Sequence, residues 1–386
     1  MRLLQKECGK CLRHPFLWIV CITFGLFQFL SIYTYVGNAG MRKELRQMHV
    51  AVTDEETASP EYESAYADYK KTYGGMYDTL DMRKILEQKE KKSGYELLLL
   101  IAWRKTKQML QNEPQGAWGM WIVRNYDRLQ KRVEQIRKTG EGTYAFYPGS
   151  WYKLHTTLYG KLWKKLILQT AVLMILSMLY LMDYERIYKT QDLVLATTTG
   201  KKMMEKKMLA GTLCGLFYAG LLTVFTLLVF FAAVPFQNLW HVPVAACMVA
   251  EPRLQMMYPF VTFWRLEQWR YLLLALVVLV GLLGIVAAVT AAVQLFLQNS
   301  YFSFAGLCLL FMGAYLLAYV QMGNVWDLIR ELFNPTVLYA TSGGWFMEND
   351  LCLSFAGNEF AVLFCSGTAA VCLMAVGKRR YHRLEV

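Results

Sequence analysis

In this chain of 386 residues, Thr197-Thr198-Thr199-Gly200-Lys201 comes nearest to phosphate chemistry. Hydroxyl groups and a Gly-Lys pair opening a helix-like run are the ingredients of a nucleotide-binding loop. A Walker A loop requires G-x-x-x-x-G-K-[ST], because its backbone N–H groups wrap the phosphates and its hydroxyl reaches the magnesium ion. Here Leu195 stands five residues before Gly200, and Lys202 occupies the hydroxyl position. Gly160-Lys161 and Gly377-Lys378 do not repair the pattern. The chain is expected to have no ATPase site of its own, no catalytic residues and no cofactor.

Metal and redox chemistry fare no better. A zinc protease needs H-E-x-x-H on one helix face, and the five histidines, His14, His49, His155, His241 and His382, are scattered singly. Cys8-Gly-Lys-Cys11 is a C-x-x-C, but zinc needs a fourth ligand and thioredoxin chemistry a strand-to-helix setting. The simpler expectation is a short amphipathic helix with Leu4, Cys8, Cys11 and Leu12 on one face and Lys6, Lys10 and Arg13 turned to lipid headgroups. The acidic run DEETASPEYES lacks the calcium-loop order and reads as a solvated loop. Cys247 and Cys352 fall in segments on the same side of the expected membrane, and sequence does not establish their proximity.

The elements that must position such residues are long apolar helices. Hydrophobic residues make up 55% and charged residues 18% of the chain, with a mean hydropathy of +0.25. Lipid offers the backbone no hydrogen-bond partner, so a span takes about 20 apolar residues in a helix. Six stretches qualify, at about 16–36, 166–182, 208–234, 271–297, 302–321 and 360–376. The second and sixth are short and can lengthen outward, with Lys164 and Lys165 snorkelling and Glu359 near a helix end. The first, with 21 residues, exceeds a signal-peptide core and reads as an anchor.

The expected fold is an all-α integral membrane protein of six transmembrane helices, with a mostly helical extracytoplasmic domain between the first and second. Residues 1–36 form the amphipathic start and first helix, 37–160 the extracytoplasmic domain, and 161–386 five further helices. The insert has 20 basic and 16 acidic residues and no cysteine. Its segment WIVRNYDRLQKRVEQIRK repeats apolar residues at helical spacing through Ile122, Tyr126, Leu129, Val133 and Ile136. Segments 235–270 and 322–354 are too broken to span and fit re-entrant or surface pieces.

The net charge of +12 needs no nucleic acid. Fourteen basic residues lie in three clusters, before the first span, in 183–207 and at the C-terminal end, and all three fall on one side. By the positive-inside rule that side is cytoplasmic, giving a multi-pass cell-membrane protein with both termini inside. The cores of the spans lack charge, Gln28 and Gln294 being the main polar exceptions, which argues against ion-coupled transport. Gly211-x-x-x-Gly215-x-x-x-Ala219, and Gly281, Gly284, Ala288 and Ala292, suit close helix approach, and packing within the chain and a dimer seam account for them equally.

The connection 183–207 reads as an elbow at the membrane surface. Tyr184, Ile187, Tyr188, Gln191 and Leu195 can share a helical face, TTTG then breaks the helix, and Thr199 can cap the next one. This stretch resembles the second-to-third connection of permeases of the type 2 ABC exporter family, approximately E-R-x-x-x-x-x-x-x-L-x-x-T-x-x-(S/G)-(R/K)-x-x-x-x-x-K. Glu185, Arg186, Leu193, Leu195, Thr197, Gly200, Lys201 and Lys207 match it, over about 25 residues. The resemblance implies that the elbow, including Tyr184, Thr199 and Lys202, docks on a separate ATP-binding cassette ATPase subunit. It further implies a second permease half, as a homo- or heterodimer, and export of an amphipathic lipid, peptide or antibiotic. A reading from another class stays open: a non-transporting membrane sensor or assembly factor whose outer domain binds a ligand or partner.

Overall fold

The structure, a computed structural model, describes residues 2–37, 49–51, 145–147, 154–190, 200–234, 236, 239–245, 261–320, 325–348 and 355–384, with part of 121–139. In chain order the helices are α1 (Arg2–Leu12), α2 (Pro15–Val36), a π-helical turn (Thr156–Leu162) running into α3 (Trp163–Met182), α4 (Tyr184–Ile187) and α5 (Gly200–Ala233). They continue as α6 (Gln268–Leu297), α7 (Ser300–Leu317), α8 (Val325–Leu332), α9 (Thr336–Ala340) and α10 (Asn358–Leu384). Six of them, α2, α3 with its π-helical start, α5, α6, α7 and α10, are long and apolar enough to cross a membrane. All six expected stretches are among them, and the two short ones do lengthen, to Thr156–Met182 and Asn358–Tyr381.

Local chemistry sets the boundaries. Pro15 opens α2 at its first position, where the missing N–H costs nothing, and His14 before it is extended, which separates α1 from α2. The turn from α6 to α7 is built from two residues. Gln298 is left-handed and ends α6, and the Asn299 side chain accepts from the N–H groups of Tyr301 and Phe302 to cap α7.

Of the insert, β1 (His49–Ala51) pairs antiparallel with β2 (Ala145–Tyr147), so the chain leaves and returns side by side. This strand pair was not foreseen in a reading of helices alone. The described residues of 121–138 are helical, with Leu129 and Ile136 buried as their spacing required. Residues 156–160, expected in the domain, belong instead to the start of the second span, and apart from residues 37, 139, 154 and 155 the rest of 37–160, with DEETASPEYES, lies outside the described residues, as do Cys247 and Cys352.

The central helix is α3: two thirds of its span is buried, against 11% for α7 at the edge. It packs against α5 at Gly211 and Gly215, where a Cβ would strike the side chains of Met178 and Met174 and crowd their Cα atoms at 3.1 Å. The glycine steps at Gly211 and Gly215 therefore serve packing inside the chain. Gly281 of α6 plays the same part against Leu363 of α10, whereas a Cβ on Gly284, expected to allow close approach, would meet nothing within 4 Å. Between α2 and α3, Gln28 donates to the Gln169 side chain at 2.7 Å, both buried, so an amide pair joins two spans.

On the face where the insert emerges, hereafter the insert face, the segments between spans fold into a lid. Phe346 takes a left-handed conformation, a cost of about 1–3 kcal/mol for a bulky residue. It is held there from both sides: its N–H donates to Glu359 at 2.6 Å and its carbonyl accepts from Phe263 N–H at 3.0 Å. Glu359, in the first turn of α10, thus caps this lid rather than entering the apolar interior. Trp345 donates to the Leu338 carbonyl and Asn334 to the carbonyl of Ala314 in α7, which fastens α9 to the bundle. The lid meets the π-helical turn through two glycines. A Cβ on Gly343 would sit 2.9 Å from the Cα of Gly160, whereas one on Gly160 would find its nearest neighbour at an ordinary 3.9 Å. Gly343→Ala is accordingly expected to cost about 1–3 kcal/mol in thermal unfolding in detergent, while Gly160→Ala stays within about 0.5 kcal/mol; equal effects would refute the close approach.

Candidate functional site at the elbow

The elbow begins where α3 stops. Asp183 ends the helix, and its carboxylate accepts from the Ser300 N–H at 3.4 Å, tying the elbow to the start of α7. The single turn of α4 then closes as a Schellman motif: Thr190 N–H donates to the Glu185 carbonyl at 2.8 Å and Lys189 N–H to that of Arg186 at 3.1 Å. Lys189 takes the left-handed conformation that glycine ordinarily supplies, with φ 55°. The helix thus ends earlier than the expected break at TTTG. The shared face runs from Tyr184 to Tyr188, whose rings lie 4.5 Å apart, and Gln191 falls outside the described residues.

Beneath α4 lies a cluster of four charges, three of them buried and the fourth, Lys10, half-buried. Glu185, Lys207 and Glu7 are only 6%, 4% and 1% exposed. The Glu185 carboxylate is ion-paired with Lys207 of α5 and stands 3.4 Å from Lys10 of α1, which is 2.6 Å from Glu7. The Tyr184 ring covers Lys10 at 4.4 Å. Two acids and two lysines balance, which meets the requirement that buried charge be paired. The cluster joins α1, α4 and α5 at one point. Lys378 of α10 pairs with Glu205 of α5 on the same face, so both ends of the chain approach the elbow. We call this the terminal face.

Above the cluster the side chains turn outward. Arg186 and Lys189 are exposed, and between them Ile187 and Tyr188 are 55% and 54% exposed. Of the residues assigned to the elbow, the structure brings Tyr184 and Glu185 inward and leaves Arg186 outward. Leu193, Leu195, Thr197 and Thr199 lie outside the described residues, and Gly200, Lys201 and Lys202 form the first turn of α5. The matched residues Glu185 and Lys207 meet each other. Glu7 and Lys10 were not read from sequence as their partners. Their i,i+3 spacing on α1 was the available signal, and it marks a pair without saying that the pair is buried. Lys10 in particular turns inward rather than to headgroups, because two carboxylates are within its reach.

The C-x-x-C belongs to the same corner. Cys11 is fully buried, Tyr218 of α5 donates to its carbonyl at 3.4 Å, and Cys214 to that of Cys8 at 3.8 Å. Burial, then the neighbouring Cys214, pushes the Cys8 thiol up to about 11, so it is a poor nucleophile at neutral pH. Among the described residues no three His, Cys, Asp or Glu side chains gather as a metal site. His14 stacks on Tyr180 at 4.2 Å. His155 packs against Tyr159 and Tyr271 on the insert face, where burial lowers its pKa to about 4 and keeps it neutral.

Removing one member of the cluster strands a charge. Lys207→Met is expected to lower stability by about 3–5 kcal/mol, and Glu185→Met with Lys207→Met to recover much of that loss. Thermal unfolding of the two variants in detergent provides the check, and additive losses would count against a shared buried cluster. No family model, curated protein or solved structure matches the chain.

Proposed function

We propose that the chain is the membrane-spanning permease half of an ATP-driven exporter, worked by a separate ATP-binding cassette ATPase that docks on the elbow. The observation that carries this reading is the contrast of burial within α4. Glu185 is locked inside, while Ile187 and Tyr188 stand out between Arg186 and Lys189. Apolar side chains displayed on a rigid polar surface are what a partner protein covers. A push on them is delivered to α1, α3 and α5 together, since the ion cluster leaves α4 no freedom to yield alone.

In this reading the terminal face is cytoplasmic, which accords with its basic residues. The chain is then a multi-pass protein of the cell membrane with both termini inside. A second permease half, identical or related, faces the least covered helices, α7 and α10. The path between halves carries an amphipathic lipid, peptide or antibiotic, since the spans present apolar surface, while buried Glu7, Glu185 and Lys207 are paired at the terminal face and buried Glu359 is held by the insert-face lid. Neither a cofactor nor nucleic acid enters the scheme.

Ile187→Asp with Tyr188→Asp leaves the buried cluster untouched. The double variant is expected to insert normally and to lose at least tenfold in copurifying ATPase, on the basis that a desolvated apolar anchor contributes about 2 kcal/mol or more at an interface. A wild-type chain that brings down no ATPase from mild detergent, or a variant that retains it fully, would overturn the reading.

A further inference from the structure

Between α3, α6, α7 and α9 runs a lateral groove of about 450 Å³, within the usual range of ligand sites of roughly 300–1,000 Å³. Its walls are almost wholly apolar, from Ile167 and Ala171 of α3 through Leu283 of α6 to Phe304 and Met312 of α7. The groove follows α7 from Phe304 to Tyr315. Eleven helical steps make about 16 Å, half of a hydrocarbon layer of about 30 Å. Its length is that of one leaflet.

The two ends of the groove differ. The end at Phe304, in the second turn of α7, is bare hydrocarbon. At the insert face it is closed by Tyr315, Thr336 and Tyr339. Lys164 stands beside this end, its ammonium 5.4 Å from the centre of the Tyr339 ring and donating to the Ala340 carbonyl at 3.3 Å. Both of these partners are neutral, so among the described residues nothing compensates the positive charge that Lys164 brings to the polar end of an apolar slot. Tyr315 and Tyr319 share a hydrogen bond at 2.9 Å along the same rim. An apolar slot one leaflet long, with a cation and phenols at the headgroup level, fits an anionic phospholipid and not a soluble ligand.

We infer that this groove holds one acyl chain of an anionic glycerophospholipid from the insert-face leaflet, with its headgroup phosphate against Lys164. The bound lipid wedges between α3 and α7, fills the side of α7 that the protein leaves uncovered, and so fixes the angle of that helix. This site is independent of the exporter reading, requiring neither ATP nor an ATPase.

The test uses the full chain, purified in mild detergent and stripped of lipid, with phosphatidylglycerol or phosphatidylcholine of the same acyl chains added back and retained lipid read by native mass spectrometry. The expected result is one tightly held lipid, with phosphatidylglycerol preferred about fivefold, the worth of one lysine near a headgroup. Lys164→Gln removes the preference and keeps binding, whereas Ala171→Trp, which fills the slot, lowers retention of both lipids. Phosphatidylglycerol with a mid-chain diazirine maps the site in the unaltered chain, so a misfolded variant does not block the answer. Crosslinks confined to residues 167–175, 282–286, 304–315 and 335–339 sustain the proposal. Crosslinks scattered over other spans, or a preference unchanged by Lys164→Gln, overturn it. So does an Ala171→Trp chain that keeps its lipid but changes its oligomeric mass, which makes the groove a seat for a second copy instead.

Discussion

The close approach of α5 to α3, at Gly211 against Met178 and Gly215 against Met174, is the contact from which the arrangement of the terminal face follows. Within lipid, apolar surface gains nothing by leaving hydrocarbon for hydrocarbon, so helices associate through dispersion and hydrogen bonds at short range. Two missing Cβ atoms let the backbones near one another, and methionine, being unbranched and polarizable, fills the remaining space. Because α3 and α5 flank the elbow directly, their contact brings Glu185 at the end of one helix to Lys207 near the start of the other.

Once those two residues are adjacent, the ion cluster acts as a specifier of geometry. A buried salt bridge contributes little net stability, because desolvation offsets the attraction, but a lone buried charge is far worse than a pair. Any other placement of α1 separates Lys10 from Glu185 and leaves the Glu7–Lys10 pair without its partners on α4 and α5. The cluster therefore selects one position for α1 and one for α4, and the Schellman turn at Lys189 sets where the chain emerges. Rigidity below and apolar exposure above result from the same four charges.

The insert face is organised by hydrogen bonding to backbone, as it must be where non-helical chain lies near the hydrocarbon boundary. Glu359, Asn334 and Trp345 each satisfy a backbone group of the lid, and the left-handed Phe346 is held by bonds on both sides. The lid clamps α9 against the bundle but covers only part of α7. What remains is the lateral groove, a consequence of fastening α7 at its two ends, by Asp183 near Ser300 and by Asn334 to Ala314.

The six spans and their approximate limits were legible in the amino-acid order, because hydrocarbon thickness and backbone hydrogen bonding impose a length and a composition that local sequence displays. Pro15 and Gln298-Asn299 mark helix ends for equally local reasons. The glycine steps were legible as close-packing sites but not as to partner, since Gly211 reads the same whether Met178 or another chain lies opposite. Glu7 and Lys10 look like surface charges of an amphipathic helix, and only the meeting of α1 with α5 buries Glu7 and turns Lys10 towards Glu185. The groove beside Tyr339 and Lys164 combines residues more than a hundred positions apart, so no window of sequence contains it. Sequence by itself determined which segments can lie in lipid, a one-dimensional property of each segment taken alone. Tertiary structure alone decided which charges are buried together and which apolar faces stay open, because pairing and coverage belong to helices in contact and not to any one of them.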